Sequence, residues 1–524
     1  MHSSRDLAMR VVVGAVGAAV VVAVLLLATS NHGQARSSVG SGPGRVSQAG
    51  AQPVGAEVTI GSRERLTPIP RSFLGLSTEY WTLPIAERYI ALDGRVLSLL
   101  HVRGDGPFVL RIGGDSSDHT FYEPGVSSLP DWAFGLTPAY VRRTARLVRA
   151  LRLRVILDLN LVTGTPRLDG AAVRHAMAVM PRGSVIGFEI GNEPDLYSRS
   201  NWSFAAEGDR FGARVLPQEA TSVGYAHAFR SYAPVLSKVA PAVPLLGPAL
   251  AHPDADVSWI SMLLAGPHPG LGGITAHRYA YSACARHDSS GYPTIGRILS
   301  ETATAGLAQT LRPGVRLARQ AALPFRVTEF NSVTCGGVAG VSNTFATALW
   351  APDVAFEFMR AGVSAIYLHS RQYAINDPFT FDARGLRVRP LLYGLILFAR
   401  TLGPGAQLVP VRRQAGRSPH LKVWAVKVSP GTLHVLLLNK GPQPLRIGLE
   451  LPATGAATVQ RLIAPSVSAR SGVTLGGQHL DAQGRWTGRP ADQMVTPRAH
   501  RYLLALRPYS AALVTVPLAP GSLR

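Results

Sequence analysis

Apolar, β-rich runs alternate with helix-like segments along the first three quarters of the chain. This alternation predicts strands that are each followed by a helix, the arrangement that builds a parallel sheet. The predicted strands are Ser72–Thr78, Phe108–Gly113, Val155–Leu161, Val185–Gly191, Leu245–Leu250, Gly273–Ala276, Phe325–Thr328 and Ser364–Leu368.

Two of the intervening segments show clear helical periodicity. Between Pro138 and Leu151, apolar residues recur at helical spacing and arginines occupy the other face. Thr137 stands where an N-cap is expected, with Pro138 at the first helical position. The segment from Phe345 to Arg360 predicts a second helix of this kind.

Eight strands alternating with helices predict an α/β fold, a (β/α)₈ TIM barrel over residues 71–403. The competing arrangement is a doubly wound open sheet, which usually carries a Gly-rich phosphate loop after an early strand. The chain has no such loop, and this favours the barrel.

The pattern changes at Leu402-Gly403-Pro404-Gly405, after which short alternating runs predict an all-β sandwich over residues 404–520. Ser429-Pro430-Gly431 links two of these runs as a tight turn. We expect the early strand at residues 57–60 to join the sandwich, because a closed barrel has no edge to pair with it. The predicted sandwich strands are Leu421–Val428, Thr432–Leu438, Leu445–Leu451, Tyr502–Leu506 and Ala511–Val516.

The first 30 residues predict an export segment. Arg5 and Arg10 precede the apolar run Val11–Ala28, as in a secretory signal. The run is also long enough to span a bilayer, so an uncleaved anchor is the alternative. Residues 31–56 have the composition of a flexible tether. We therefore expect an exported protein, either secreted or held at the outer face of the cytoplasmic membrane by residues 11–28.

Composition limits the classes of partner. The chain has 524 residues, is 46% hydrophobic and carries a net charge of +22, so it is long and apolar enough for a large folded core. Its 53 basic residues are mostly arginines spread along the sequence, and no nucleic-acid-binding signature accompanies them. We interpret the charge as a composition bias and expect no nucleic-acid partner. An acidic glycan or an anionic envelope surface is the alternative. Nothing in the sequence indicates an obligate protein partner.

The chain has two cysteines, Cys284 and Cys335, each a short distance after a predicted strand. In an exported protein such a pair predicts one disulfide, and two buried thiols are the alternative. No His/Cys cluster has the spacing of metal ligands, so neither a metal nor a cofactor is expected.

Polar and charged side chains follow the predicted strands, where a parallel barrel carries its active site. This set comprises Glu79, Tyr80, Arg111, Asp115, Asp118, Asn160, Asn192, Glu193, His277, Tyr279, Glu329, Asn331, Arg371 and Tyr373. Such groups suit the hydroxyls of a sugar, so we expect a carbohydrate substrate.

Two glutamates are the central candidates for chemistry. Glu193 follows the fourth predicted strand and Glu329 follows the seventh. Glycosidic bond hydrolysis needs one carboxylic acid to protonate the leaving oxygen and one carboxylate facing the anomeric carbon. Glu189 is the nearest rival, but it lies within a strand, where packing in the barrel interior is expected.

The ordered motifs give the chain a family resemblance. They are Leu110-Arg111-Ile112-Gly113-Gly114, Gly191-Asn192-Glu193-Pro194, His277-Arg278-Tyr279, Ser342-Asn343-Thr344-Phe345-Ala346 and Arg371-Gln372. In them the chain resembles glycoside hydrolase family 79, the heparanase and β-glucuronidase group. That family belongs to a clan of retaining barrel glycosidases whose catalytic glutamates follow strands four and seven. The resemblance spans residues 72–400.

The resemblance implies a role for each candidate. Glu193 would be the general acid/base and Glu329 the nucleophile, with Arg111 and Tyr279 favouring ionisation of the nucleophile. Asn192 would bind the 2-hydroxyl of the sugar, and Glu79 and Asp115 the 3- and 4-hydroxyls. Asn160 and His277 complete the predicted sugar contacts.

A glucuronidase must also hold the carboxylate of its substrate. The resemblance implies that backbone amides of Gly336 and Gly337 and the side chain of Tyr373 do this, with Arg371 as a further partner through a bidentate contact. The sequence thus predicts a retaining β-glucuronidase. Two alternatives remain: a retaining β-glycosidase for a neutral sugar, and a membrane-tethered glycan-binding protein without catalysis.

Overall fold

The computed structural model describes residues 55–61, 66–102, 104–122, 129, 133–198, 220–413, 419–429, 431–453, 455–499, 501–518 and 522–523. The predicted export segment and nearly all of the predicted tether lie outside these residues. Within the described part of the chain, no helix combines the length and the apolar character needed to cross a membrane.

Eight parallel strands close into a barrel, which confirms the predicted fold class. Each strand pairs with the next along the chain, and the eighth closes on the first through the register His369↔Ser77. The strands are Leu74–Glu79, Val109–Gly113, Arg154–Leu159, Val185–Ile190, Leu245–Leu250, Leu271–Ser282, Phe325–Thr334 and Ala365–His369.

The sixth and seventh strands extend beyond the ends predicted for them. They stay paired as far as Ser282↔Thr334, past the register His277↔Glu329. Glu329 therefore lies within its strand rather than after it. The prediction of a strand end at Thr328 was wrong, because polar residues that face the cleft interrupt the apolar run without interrupting the backbone pairing.

Helices cover the outside of the barrel. Thr137 caps the helix Pro138–Ala150 by accepting a 3.1 Å hydrogen bond from the Tyr140 amide. The helix Phe345–Ala361 ends at Gly362, whose φ of 98° is the left-handed conformation that glycine adopts readily. The α-helices are Leu83–Arg88, Ile90–Leu100, Pro138–Ala150, Pro166–Val179, Ser222–Val239, Val257–Ala265, Ile295–Ile298, Ala305–Gln320, Phe345–Ala361 and Pro390–Thr401.

Two further sheets form an all-β region after the barrel. In one sheet the order is Val411–Arg413, Ala56–Ile60, Leu445–Glu450 and Arg501–Leu506, so the early strand pairs here. The other sheet runs in the order Thr67–Pro68, Gln407–Val409, Leu421–Val428, Thr432–Asn439, Ser510–Pro517, Ala457–Ile463 and Thr474–Leu475, with Gln493–Val495 also paired to Ala457–Ile463. Apolar side chains of both sheets pack against one another in a second core.

Buried charges join the all-β region to the helix Phe345–Ala361. The Lys440 ammonium lies 2.7 Å from Asp353, and both side chains are almost inaccessible to solvent. The Trp424 indole N–H also donates to Asp353 over 3.0 Å. Because each buried polar group has a partner, this contact fixes the all-β region against the helix Phe345–Ala361, which covers the seventh barrel strand.

Candidate active site

The two candidate glutamates meet at the carboxyl-terminal end of the barrel. One carboxylate oxygen of Glu193, one of Glu329 and one ring nitrogen of His277 all lie within 4.8 Å of one another. Retaining glycosidases hold their two carboxyl groups about 5–5.5 Å apart, and inverting enzymes about 6.5–9.5 Å apart. The upper limit of 4.8 Å on the oxygen–oxygen distance lies below the inverting range.

Glu193 reaches the cleft from an uncommon backbone conformation. Its φ of 49° is in the left-handed region, which few residues other than glycine adopt. The Glu193 amide donates a 3.1 Å hydrogen bond to the carbonyl of Ala249, at the end of the fifth strand. This backbone contact helps to hold the turn that aims the carboxylate into the cleft.

Glu329 is held by donors on both carboxylate oxygens. Tyr279 donates its hydroxyl to Oε1 over 2.6 Å, and Arg111 donates Nη1 to Oε2 over 2.9 Å. Burial alone would raise the pKa of this carboxyl, but the positive charges of His369, His277 and Arg111 outweigh burial and lower the pKa to about 2. Glu329 is therefore a carboxylate at any pH near neutrality.

Arg111 organises the floor of the cleft from the second strand. Its guanidinium is fully buried and donates to Glu189 over 2.7 Å and to Asp158 over 2.8 Å, besides Glu329. Glu189 also accepts the Thr328 hydroxyl over 2.8 Å. Glu189 therefore serves as a buried partner of Arg111 inside the barrel, away from the reacting position.

Asn192 and Asp115 lie beside this floor. The Asn192 carbonyl oxygen accepts from Arg111 over 3.0 Å, and its amide donates to Asp115 over 3.4 Å. Asp115 is open to the cleft. The surrounding protein, followed by the carboxylates of Glu79 and Glu193, disfavours the charged form and raises the pKa of Asp115 above its usual range. The predicted hydroxyl-binding groups Asn192 and Asp115 are thus adjacent in the structure.

Glu79 ends the first strand and faces the same cleft. Its Oε2 accepts the Ser116 amide over 2.9 Å, and its Oε1 lies 3.5 Å from Nε2 of His369. A Cβ at Gly114 would come within 2.5 Å of Oε1, so glycine is needed there for the carboxylate to fit. Burial favours a higher pKa for Glu79, but the His369 hydrogen bond and charge lower it.

His277 contacts the proposed acid/base rather than standing in the cleft as a separate sugar ligand. Its Nδ1 lies 2.9 Å from Oε1 of Glu193, and its ring is fully buried. Burial would lower the pKa of His277, whereas the charge of Glu329 and the Glu193 contact raise it. The structure therefore gives His277 a role in orienting Glu193.

Asn160 departs from the sequence prediction. Its amide nitrogen donates to the Thr120 carbonyl over 3.1 Å and to the Thr163 hydroxyl over 2.6 Å. Its carbonyl oxygen accepts the Thr163 amide over 2.8 Å. These bonds occupy both amide protons and the oxygen, and the residue is 2% exposed. Asn160 thus caps the loop after the third strand, and we correct its assignment as a sugar contact.

The Gly-rich turn after the seventh strand has fewer backbone amides free to bind a substrate carboxylate than the sequence predicts. Gly336 and Gly337 have φ of 78° and 87°, which glycine allows. The Gly337 amide already donates to the Thr334 carbonyl over 3.2 Å. Among the described residues the Gly336 amide has no such acceptor.

Arg371 and Tyr373 follow the eighth strand beside this turn. The Arg371 guanidinium packs on Gly336, 3.2 Å from the position that a Cβ there would take. No carboxylate within the described ranges pairs with this half-buried guanidinium. Tyr373 is 65% exposed to solvent.

Cys284 and Cys335 are joined by a disulfide, with their Cα atoms 6.0 Å apart. The bond links the loops that follow the sixth and seventh strands. Because Cys335 directly precedes Gly336, the bond also anchors the Gly-rich turn.

Sequence reasoning did not single out two residues of the site, His369 and Asp158. Both lie at or near strand ends and touch the network around Arg111 and Glu329. The signal for His369 was its position, directly after the last predicted strand. Asp158 gave little signal, since it stands inside an apolar run.

A second group of side chains outside the cleft has metal-ligand geometry. Ligand atoms of Asp195, His252 and Asp256 lie within 4.8 Å of one another. The Asp195 carboxylate, however, accepts the backbone amides of Ala251 and His252 over 3.0 and 2.9 Å. Those bonds explain its burial without an ion.

No family model matches the chain. Among curated proteins it is similar to a β-glucuronidase of Neurospora crassa, with 23% identity over 390 residues, 64% of this chain. The match spans 65% of that relative, just under two thirds of its length.

Solved structures share the fold. A 4-O-α-L-rhamnosyl-β-D-glucuronidase of Fusarium oxysporum aligns over 88% of this chain and all of its own, with a TM-score of 0.71 and 16% identity. An α-L-arabinofuranosidase of Thermotoga maritima aligns over 88% and 100%, with a TM-score of 0.63 and 15% identity. The chain is thus similar to glycoside hydrolases in its fold and in the curated protein that it matches. Fold similarity at these identities does not select the sugar.

Proposed function

We propose that this protein is a retaining β-glycosidase, exported from the cell, that hydrolyses β-glucuronides. The observation that carries the proposal is the approach of the Glu193 and Glu329 carboxylates to within 4.8 Å. This distance leaves room for a direct attack on the anomeric carbon but not for a water molecule placed between a base and the sugar.

The reaction follows from the contacts of each glutamate. Ionised Glu329 attacks the anomeric carbon and forms an ester bond, while Glu193 gives its proton to the departing glycosidic oxygen. Glu193, now a carboxylate, removes a proton from water, and the water oxygen displaces Glu329 from the same carbon. Two inversions leave the product with the configuration of the substrate.

The preference for glucuronides is the finer part of the proposal. The half-buried Arg371 has no carboxylate partner of its own among the described residues, and it lies on Gly336 in the turn after the seventh strand. A guanidinium in this position suits the planar carboxylate of a uronic acid. The similarity to the Neurospora crassa β-glucuronidase supports the same substrate class.

A neutral β-glycoside is the second candidate. It is favoured by the Gly337 amide, which donates to Thr334 and so is not free for a substrate carboxylate. The third interpretation, a glycan-binding protein without catalysis, gives no reason for the donors that keep Glu329 ionised.

Nitrophenol release from nitrophenyl β-glucuronide and β-glucoside tests the proposal, with Glu329→Ala as the control. Turnover of the glucuronide that disappears in Glu329→Ala supports both the mechanism and the uronate preference. Turnover of the glucoside alone would keep the mechanism and overturn the preference. Absence of turnover on both, together with retained glycan binding, would favour the binding protein.

A further inference from the structure

His369 lies between the carboxylates of Glu79 and Glu329, which have separate roles in the proposed mechanism. It is the last residue of the eighth barrel strand, beside the first strand, and is 9% exposed. Its Nδ1 lies 3.4 Å from Oε2 of Glu329, and its Nε2 lies 3.5 Å from Oε1 of Glu79. One imidazole ring thus spans the gap between the nucleophile and a predicted hydroxyl-binding residue.

The other contacts of Glu79 leave it dependent on His369. The Ser116 amide holds Oε2 over 2.9 Å, and His369 is the side chain beside Oε1. Glu329, by contrast, keeps strong donors on both oxygens from Tyr279 and Arg111. A substitution of His369 should therefore displace the Glu79 carboxylate most. It should also displace the nucleophile, because the ring that contacts both carboxylates is lost.

We propose that His369 is a positioning residue that couples Glu79 to Glu329, so that a sugar hydroxyl held by Glu79 also aligns the nucleophile. This inference rests on the proposed glycosidase function and concerns the same site. It gives the enzyme a means of discrimination, because a sugar without the hydroxyl read by Glu79 would meet a less well placed nucleophile.

The charges around His369 support an imidazolium in this position. Burial would lower its pKa, but Glu329 and Glu79 raise it. Arg111 on the second strand opposes the charge. Two further carboxyl groups interact with His369: Asp115, in the loop after the second strand, and Asp377, in the loop after the eighth strand. His277, on the sixth strand, acts on the same Glu329 carboxylate. An imidazolium can donate to both carboxylates at once, whereas neutral imidazole has a single proton to donate.

A double-mutant cycle tests the coupling, with His369→Phe, Glu79→Gln and the double variant assayed on nitrophenyl β-glucuronide. Each single change should lower kcat about 10- to 100-fold, as a small misalignment does. The kcat of the double variant should be no lower than that of the less active single variant, because both changes break the same connection. The proposal would be overturned if the two single losses in kcat multiplied in the double variant, or if kcat were unchanged in His369→Phe. His479→Phe, at an exposed site in the all-β region, is the matched control.

A second readout separates positioning from a loss of folding. An activated 2-deoxy-2-fluoro glycoside labels the nucleophile without needing the acid, so its rate reports on Glu329 alone. The wild-type labelling rate should fall as rising pH removes the proton of His369, and the His369→Phe rate should be low and independent of pH. His369→Gln, which keeps one donor, should recover part of the rate. Identical pH profiles in wild type and His369→Phe would contradict the proposal. A wild type inactive on every glycoside would instead count against the proposed function.

Discussion

Arg111 Nη1 lies 2.9 Å from Oε2 of Glu329, with the arginine fully buried and the glutamate side chain 9% exposed. The same guanidinium holds Glu189 and Asp158, so it cannot turn away from Glu329 without leaving buried carboxylates unpaired. The site is therefore built around a fixed cation that keeps the Glu329 carboxylate ionised and in place.

The ionisation of Glu329 gives a pH prediction. Its pKa of about 2 lies below the usual value of about 4.3, so protonation of the Glu329 carboxylate begins only at strongly acidic pH. The rate of labelling by an activated fluoroglycoside should stay flat from pH 6 to pH 3.5. An ordinary glutamate would lose about sevenfold in rate over this range. Circular dichroism at each pH would confirm that the protein remains folded.

Glu193→Gln should separate acid catalysis from base catalysis. The variant cannot protonate a leaving group or activate water, so kcat on a poor leaving group should fall about 10²- to 10⁴-fold. Azide needs no base and should restore turnover of nitrophenyl substrates, giving a β-glycosyl azide. Glu450→Gln, at an exposed position, should leave the rates unchanged. An α-azide would contradict the role of Glu329 as nucleophile.

Arg371→Gln should weaken the binding of a β-glucuronide and leave the binding of a neutral glycoside unchanged. Loss of a charge-assisted contact costs about 1.5–3 kcal/mol, so KM for the β-glucuronide should rise about 10- to 100-fold. Any activity on the β-glucoside should change little. Arg384→Gln is the control, since Arg384 is also a cation in this region but is exposed. An unchanged KM for the glucuronide would remove Arg371 from the uronate site.

Asp93 gives a stability prediction outside the site. It lies in the helix Ile90–Leu100 beside a small cavity, and burial raises its pKa to about 7. A raised folded-state pKa favours folding below about pH 4, and this contribution is lost as pH rises to 7. Asp93→Asn should therefore add up to about 4 kcal/mol of stability at pH 8 and little at pH 4. Denaturant melts at both pH values, with the exposed Asp288→Asn as control, would check this.

Much of the fold could be predicted because each barrel strand contains an apolar run long enough to be recognised. The prediction was weakest where polar residues continue a strand, as at Glu329, since periodicity alone cannot show backbone pairing. It was also incomplete in the all-β region, where the strand Ala457–Ile463 mixes Gln460 and Arg461 with apolar residues.

The site was predictable where function depends on strand ends, and less so where it depends on contacts between strands. Glu193 and Glu329 followed from position and motif. The bridge made by His369 needs the first, seventh and eighth strands in register, which no local pattern reveals. Asn160 shows the converse, because a polar residue at a strand end can use its amide protons and its oxygen within its own loop and the neighbouring one, here at Thr163 and Thr120.

The most direct test of the central claim is the anomeric configuration of the first product, followed by proton NMR during hydrolysis of a nitrophenyl β-glucuronide. A retaining reaction through Glu329 predicts that the β-anomer of the free sugar appears first and the α-anomer grows in only by mutarotation. Initial release of the α-anomer would show inversion and would contradict the double displacement assigned to Glu193 and Glu329.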